Sequence, residues 1–260
     1  MIDATVQEGL HAFQSNKVHL EAPAKWLKQG WKDFVDAPGV SLTYGFIFVA
    51  VGYAMFWGLK ALDLGYFILP FSGGFILFAP WLALGLYEVS RQREKGESPT
   101  FASTCGAWRQ SPRRIGIMAF VLLMVMLVWT QVAFVMYALM MGNASLSLEA
   151  LSMDVLARTD GIVFLVSGSL VGLIFASIVF LLTAVSVPMI LDRDTGAFEA
   201  MRRSYHTVIK NSHVMWSWAF TIGIIAWFGI ATFFIGLIVA MPVLGYASWH
   251  AYRDLVPAEA

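Results

Sequence analysis

Residues 214–252 read VMWSWAFTIGIIAWFGIATFFIGLIVAMPVLGYASWHAY and contain no Asp, Glu, Lys or Arg. At 1.5 Å per residue, one helix of about 39 residues would be about 58 Å long, nearly twice the ~30 Å hydrocarbon core of a bilayer. The stretch therefore predicts two helices joined by a tight turn, placed within Gly229–Gly236. A single long, bent helix is the competing reading.

Four more apolar runs lie upstream, at Gly39–Leu59, Leu64–Tyr87, Ile115–Met141 and Gly161–Leu191, with Lys60 and Asp63 marking a short turn between the first two. Each is long enough to span a bilayer. The expected fold is an all-α polytopic membrane protein of about six transmembrane helices. Composition agrees: 58% of the 260 residues are hydrophobic and 13% charged, with 10 Trp and 20 Phe. A soluble domain carries about a quarter charged residues. The first residues lack a basic start followed by an apolar run, so they do not read as a secretory signal. One cysteine, Cys105, excludes an internal disulfide.

All but Lys60 and Arg158 of the 17 basic residues fall before span one, between spans two and three, between spans four and five, or after span six. Positive charge stays on the cytoplasmic side, so both termini are expected there, in an inner or plasma membrane. The opposite side offers one sizeable loop, Gly142–Asp160, too short for a soluble binding domain; its Asn143-Ala144-Ser145 sequon carries little weight. Residues 1–22 read as a polar tail, 23–255 as one transmembrane domain, and 256–260 as a short C-terminal tail.

Three cytoplasmic segments look alike. In Pro23–Asp36, Leu27, Trp31 and Phe34 share a helical face, with Lys25, Lys28 and Lys32 opposite. Phe101, Cys105 and Trp108 repeat at helical spacing. In Phe198–Lys210, Phe198, Met201, Tyr205 and Val208 share a face, with Glu199, Arg203, His206 and Lys210 on the other. Each reads as an interfacial amphipathic helix preceding a transmembrane hairpin, giving three repeated units. Pro80, Pro188 and Pro242 are read as late positions in spans two, four and six. Chance recurrence of aromatics near interfaces is the plainer alternative. The expected contacts with anionic inner-leaflet lipids are Lys25, Lys28, Lys32, Trp31, Trp108, Arg202, Arg203 and Lys210, each cation contributing about 1 kcal/mol.

The strings PAKWLKQGWKDF (23–34), GFILFAPWLALGLYEVSRQREKGE (74–97), VPMILDRDTGAFEAMRRSYHTVIKN (187–211) and PVLGYASWHAYRDL (242–255) carry a resemblance. With them the chain resembles, over roughly 23–255, a bacterial integral-membrane family catalogued as domain of unknown function 2189. The resemblance implies a bacterial membrane protein and supplies no activity. Some members carry a cytochrome c oxidase label. A haem–copper core needs several histidines within its spans. His11, His19 and His206 lie in polar segments, and His213 and His250 at span ends, so oxidase chemistry is not expected.

Other chemistry is sparse. Glu88 ends span two, with Arg91 at i+3 as its natural partner. His250 sits among Trp249, Tyr252 and Arg253, which read as a proton-linked or ligand site or, more plainly, as an interfacial belt. Asp194 or Thr195 suits a helix cap. Gln131, Ser169, Ser177 and Thr183 are the polar positions that would line a transport path, although intramembrane charge is lacking. Gly168 and Gly172 allow close helix approach, within the bundle or in a homodimer. Pro70, Ser72, Gly73 and Gly74 interrupt span two. No phosphate loop, dinucleotide fingerprint, nucleophile elbow or paired-histidine zinc motif is present. The expectation is therefore no enzyme, cofactor, metal or nucleic acid. What remains is a scaffold or accessory factor of a membrane complex, with a membrane-protein or same-chain partner, against a transporter or lipid-handling protein.

Overall fold

A computed structural model describes residues 15–62, 83–141 and 159–257. Regular structure among the described residues is entirely helical: α1 (Ala22–Asp36), α2 (Pro38–Ala61), α3 (Leu84–Glu94), α4 (Phe101–Thr104), α5 (Pro112–Met141), α6 (Thr159–Thr183), α7 (Ser186–Asp192), α8 (Ala197–Lys210), α9 (Ser212–Ala231) and α10 (Leu237–Leu255), with a 3₁₀ turn at Ala107–Gln110. The interruption of span two at Pro70–Gly74, Pro80, the sequon and most of the loop after α5 lie outside the described residues.

Local chemistry sets the boundaries. Pro38 and Pro112 open α2 and α5, where a missing N–H costs nothing. Thr100 and Ser103 form a reciprocal capping box at α4. Gly96, at φ +76°, stops α3, and the Gly96 and Glu97 amides return to the carbonyls of Arg93 and Gln92.

Among the described residues, four helices are long and apolar enough to cross a membrane: Pro38–Ala61, Pro112–Met140, Gly161–Asp192 and Ser212–Ala231. The 214–252 stretch is two helices, with its turn at 232–236, inside the predicted window. Phe233 and Phe234 take positive φ, +53° and +65°. Thr232 Oγ1 donates to the Gly229 carbonyl at 2.9 Å and accepts the Gly236 amide at 2.9 Å. A Cβ on Gly229 would meet Leu237 Cδ2 at 2.5 Å, so a larger residue there would displace the Leu237 side chain. Pro242 is an early residue of α10, not a late one, because the turn absorbs the residues before Leu237.

The chain forms two compact units. The first comprises Met1–Val49, Ala83–Ile115 and Leu181–Ala260; the second comprises Ala50–Leu82 and Gly116–Phe180. In the second, α5 and α6 meet through large side chains: Trp129 on Phe175 (5.6 Å) and Tyr137 edge-on to Phe164 (5.8 Å). A Cβ on Gly172 would lie 3.2 Å from the Trp129 ring, so this glycine serves internal packing, whereas Gly168 faces open space.

In the first unit, α1 and the start of α2 run along α10. The face of α1 that packs there is Trp26, Gly30 and Asp33, while the Leu27–Trp31–Phe34 face points away from it, with Trp31 exposed. Gly30 permits backbone approach, since its Cβ would meet the Val243 carbonyl at 2.5 Å. Trp26 is fully buried, edge-on to Trp218 of α9 (5.6 Å, 79°), with its indole N–H on Asp254. Residues 15–18 and 256–257 are docked on the helices. Asn16 N–H donates to Leu255 O at 2.8 Å, and the Asn211 side chain clamps the main chain of Asn16 and Val18. Val256 is buried, and Arg193 donates to the Pro257 carbonyl.

Candidate functional site

The first unit concentrates its ionisable groups where α1, α3 and α10 meet. Asp33, reaching in from α1, is buried and accepts from three directions: Ser90 Oγ (2.6 Å), His250 Nε2 (2.9 Å) and Arg93 Nε (3.0 Å). Ser90 and Arg93 stand about one turn apart on α3, and Arg93 also grips Asp36 at 2.5 Å. Burial alone would raise the Asp33 carboxyl; the His250 and Ser90 hydrogen bonds and the His250 and Arg93 charges outweigh it and hold the group below its usual range. An ionised carboxylate only accepts, so His250 Nε2 carries the proton in this bond.

Two further carboxylates continue the network. Glu88 is buried and takes Arg91 (2.8 and 3.1 Å) and Gln92 (2.8 Å). Arg91 passes on to Gln110, and Gln92 accepts from Ser103, tying α3 to the α4 region. Asp192 of α7 accepts from Tyr252 OH (2.7 Å) and Arg253 (3.2 Å), and Arg253 bridges to Glu94.

The geometry limits what this cluster can do. Ser90 and His250 meet on the same oxygen, Asp33 Oδ2, with the carboxylate between them. A nucleophile relay needs the imidazole between hydroxyl and carboxylate. Among the described residues, no three of His, Cys, Asp and Glu are grouped to hold a metal. The cluster ties helices together. Asp33, Ser90 and Arg93 were not among the predicted site residues. The signal for Asp33 was the Trp26–Gly30–Asp33 stripe at i, i+4, i+7, with a small residue at its centre. Trp249 and Tyr252, read as an interfacial belt, are fully buried, because α10 is enclosed at that level.

The surface candidates divide. Trp31 (51% exposed), Lys28 and Lys32 are open, and neither lysine has an ion pair among the described residues. Trp108 is exposed, with Arg109 over its ring at 5.3 Å. Lys25 is paired with Asp254 (2.7 Å), Lys210 donates to the Ser15 carbonyl (2.5 Å), and Arg202 and Arg203 share Glu199 (2.9 and 2.7 Å). The arginines hold the Glu199 carboxyl below its usual range, the Arg202 hydrogen bond foremost.

The polar span candidates are not brought together. Gln131 and Ser169 are exposed, Ser177 Oγ returns to its own Leu173 carbonyl (2.7 Å), and Thr183 is buried. Thr130 and Ser167 likewise bond back to Met126 and Val163.

Over residues 68–192, just under half of the chain, the sequence matches the family described as "Predicted integral membrane protein (DUF2189)", the family it resembles. No curated protein and no solved structure matches the chain. With its several apolar helices, the chain is an integral membrane protein in contact with the lipid bilayer.

Proposed function

We propose that this integral membrane protein is a non-enzymatic scaffold or accessory factor of a larger membrane complex. The observation that carries the reading is the state of the intramembrane hydroxyls. Thr130 and Ser177 donate their hydroxyl protons to carbonyls of their own helices, so neither offers a donor to a shared polar path. A transporter for a small solute or lipid would need those groups to converge. The apolar helices instead present surface outward: only 17% of the most apolar window of Pro112–Met140 is buried. Lipid or partner helices can cover it.

We further propose six crossings in three hairpins, with both termini on the cytoplasmic side of a bacterial inner membrane and basic side chains on its anionic leaflet. The Asn16–Leu255 hydrogen bond supports this, because two residues that touch lie on one side and the crossings between them are even in number. Cys105, exposed and before α5, falls on the cytoplasmic side in this arrangement. A membrane-impermeant maleimide should label it in inverted vesicles and not in intact cells.

The function is tested by purifying the tagged chain from its native membrane in mild detergent, with mass spectrometry of what accompanies it. A stoichiometric membrane-protein partner is the expected result. A chain that purifies alone and carries a solute across proteoliposomes would replace the scaffold with the transporter.

A further inference from the structure

Successive residues of α1 are separated by about 100° around the axis, which sorts the helix into three sectors. Ala22, Trp26, Gly30 and Asp33 form the buried sector against α10. Leu27, Phe34, Trp31 and Val35 form an outward apolar sector, in which Trp31 and Val35 are exposed and the Trp31 and Phe34 rings stack at 5.5 Å. Lys28 and Lys32 come next, one turn apart, both exposed and without an ion pair among the described residues. The acidic groups within the helix are withdrawn: Asp33 is buried and Asp36 is held by Arg93.

The helix α8 has superficially the same composition, with Phe198 and Tyr205 exposed. Its cations are occupied, Arg202 and Arg203 by Glu199 and Lys210 by the Ser15 carbonyl. A lipid phosphate approaching there meets the Glu199 carboxylate, which is bonded to both guanidinium groups and offsets one of their two charges.

We propose that α1, through Lys28 and Lys32 beside Trp31, is the part of this protein that selects anionic phospholipid, and that α8 is not. This deepens the anionic-leaflet contact proposed above and rests on it. The occupant is the headgroup layer of an anionic leaflet. Exposed aromatic surface bordering cations that have no ion pair among the described residues matches the acyl–phosphate boundary. A single residue, Ala37, separates α1 from α2, which is long and apolar enough to cross the membrane, so the patch continues a lipid-facing surface.

The test titrates the full chain in detergent with phosphatidylglycerol or phosphatidylcholine and counts bound lipid by native mass spectrometry. The wild type should prefer phosphatidylglycerol. At about fivefold per cation, K28Q/K32Q should weaken that preference roughly 25-fold. K28R/K32R should retain it, and R202Q/R203Q should change it less than about twofold. An unfolding midpoint for K28Q/K32Q equal to the wild type's ties the loss to recognition; if that variant unfolds, loss of the wild-type preference at high salt serves in its place. No preference in the wild type, or equal loss in R202Q/R203Q, overturns the proposal. Neither outcome depends on a protein partner, so the scaffold reading stands or falls separately.

Discussion

Gly30 and Val243 touch through their main chains: a Cβ at Gly30 would lie 2.5 Å from the Val243 carbonyl oxygen and 2.8 Å from the Ala247 nitrogen. Backbone cannot retreat as a side chain can. Replacing Gly30 with Val should therefore cost about 1–3 kcal/mol through overpacking, despite the better helix propensity. Gly39→Ala, where a Cβ meets nothing within 4 Å, is the control and should be neutral or slightly stabilising. Thermal unfolding of the two variants in detergent checks the difference; equal midpoints would show that α1 does not need this approach.

Removing the Asp33 charge leaves Arg93 and His250 facing each other across a buried position. Asp33→Asn should destabilise by about 3 kcal/mol, as expected when one member of a buried ionic cluster is removed. His250→Gln, which forfeits one hydrogen bond to a charged group, should cost about 1.5–3 kcal/mol. Because the two side chains share one bond, the double variant should cost less than the sum.

The same carboxylate gives a pH signature. Its folded pKa lies below the usual aspartate range. The stabilisation is present above that range and is lost as pH falls through the folded pKa. An unfolding midpoint measured from neutral to acid pH should drop at the acid end, and Asp33→Asn should flatten part of that drop.

Asn211 holds the Asn16 carbonyl and the Val18 amide with one side chain, at 3.0 and 3.1 Å. Asn211→Ala should release the 15–18 strap. Hydrogen exchange at the Val18 amide and protease cleavage near Lys17 should both accelerate, while the midpoint of global unfolding falls by only about 1 kcal/mol in equivalent free energy.

The membrane-crossing helices were legible because bilayer thickness writes itself as run length, and the turn before α10 because two lengths cannot fit one crossing. The division of α1 was half legible. The Lys25–Lys28–Lys32 and Leu27–Trp31–Phe34 faces stand out by composition, whereas the Trp26–Gly30–Asp33 face looks mixed until α10 supplies its partners. Asp33 with His250 is a pairing 217 residues apart, and no local periodicity reports it. Glu88 with Arg91 was readable because helical spacing alone brings them together. The pairings of Arg202, Arg203 and Lys25 decide which cations stay available, and only the first two lie close in sequence to their acid.

The closure of the chain on itself bears on its biosynthesis. The strap at 15–18 and the inner face of α1 leave the ribosome well before their partners, Asn211, His250, Asp254 and Leu255. Until α10 is made, α1 waits with Trp26 not fully covered and Asp33 lacking the imidazole of α10. Docking of α1 therefore awaits α10, and a nascent chain stalled before α10 should present α1 to chaperones or proteases as an unfinished surface.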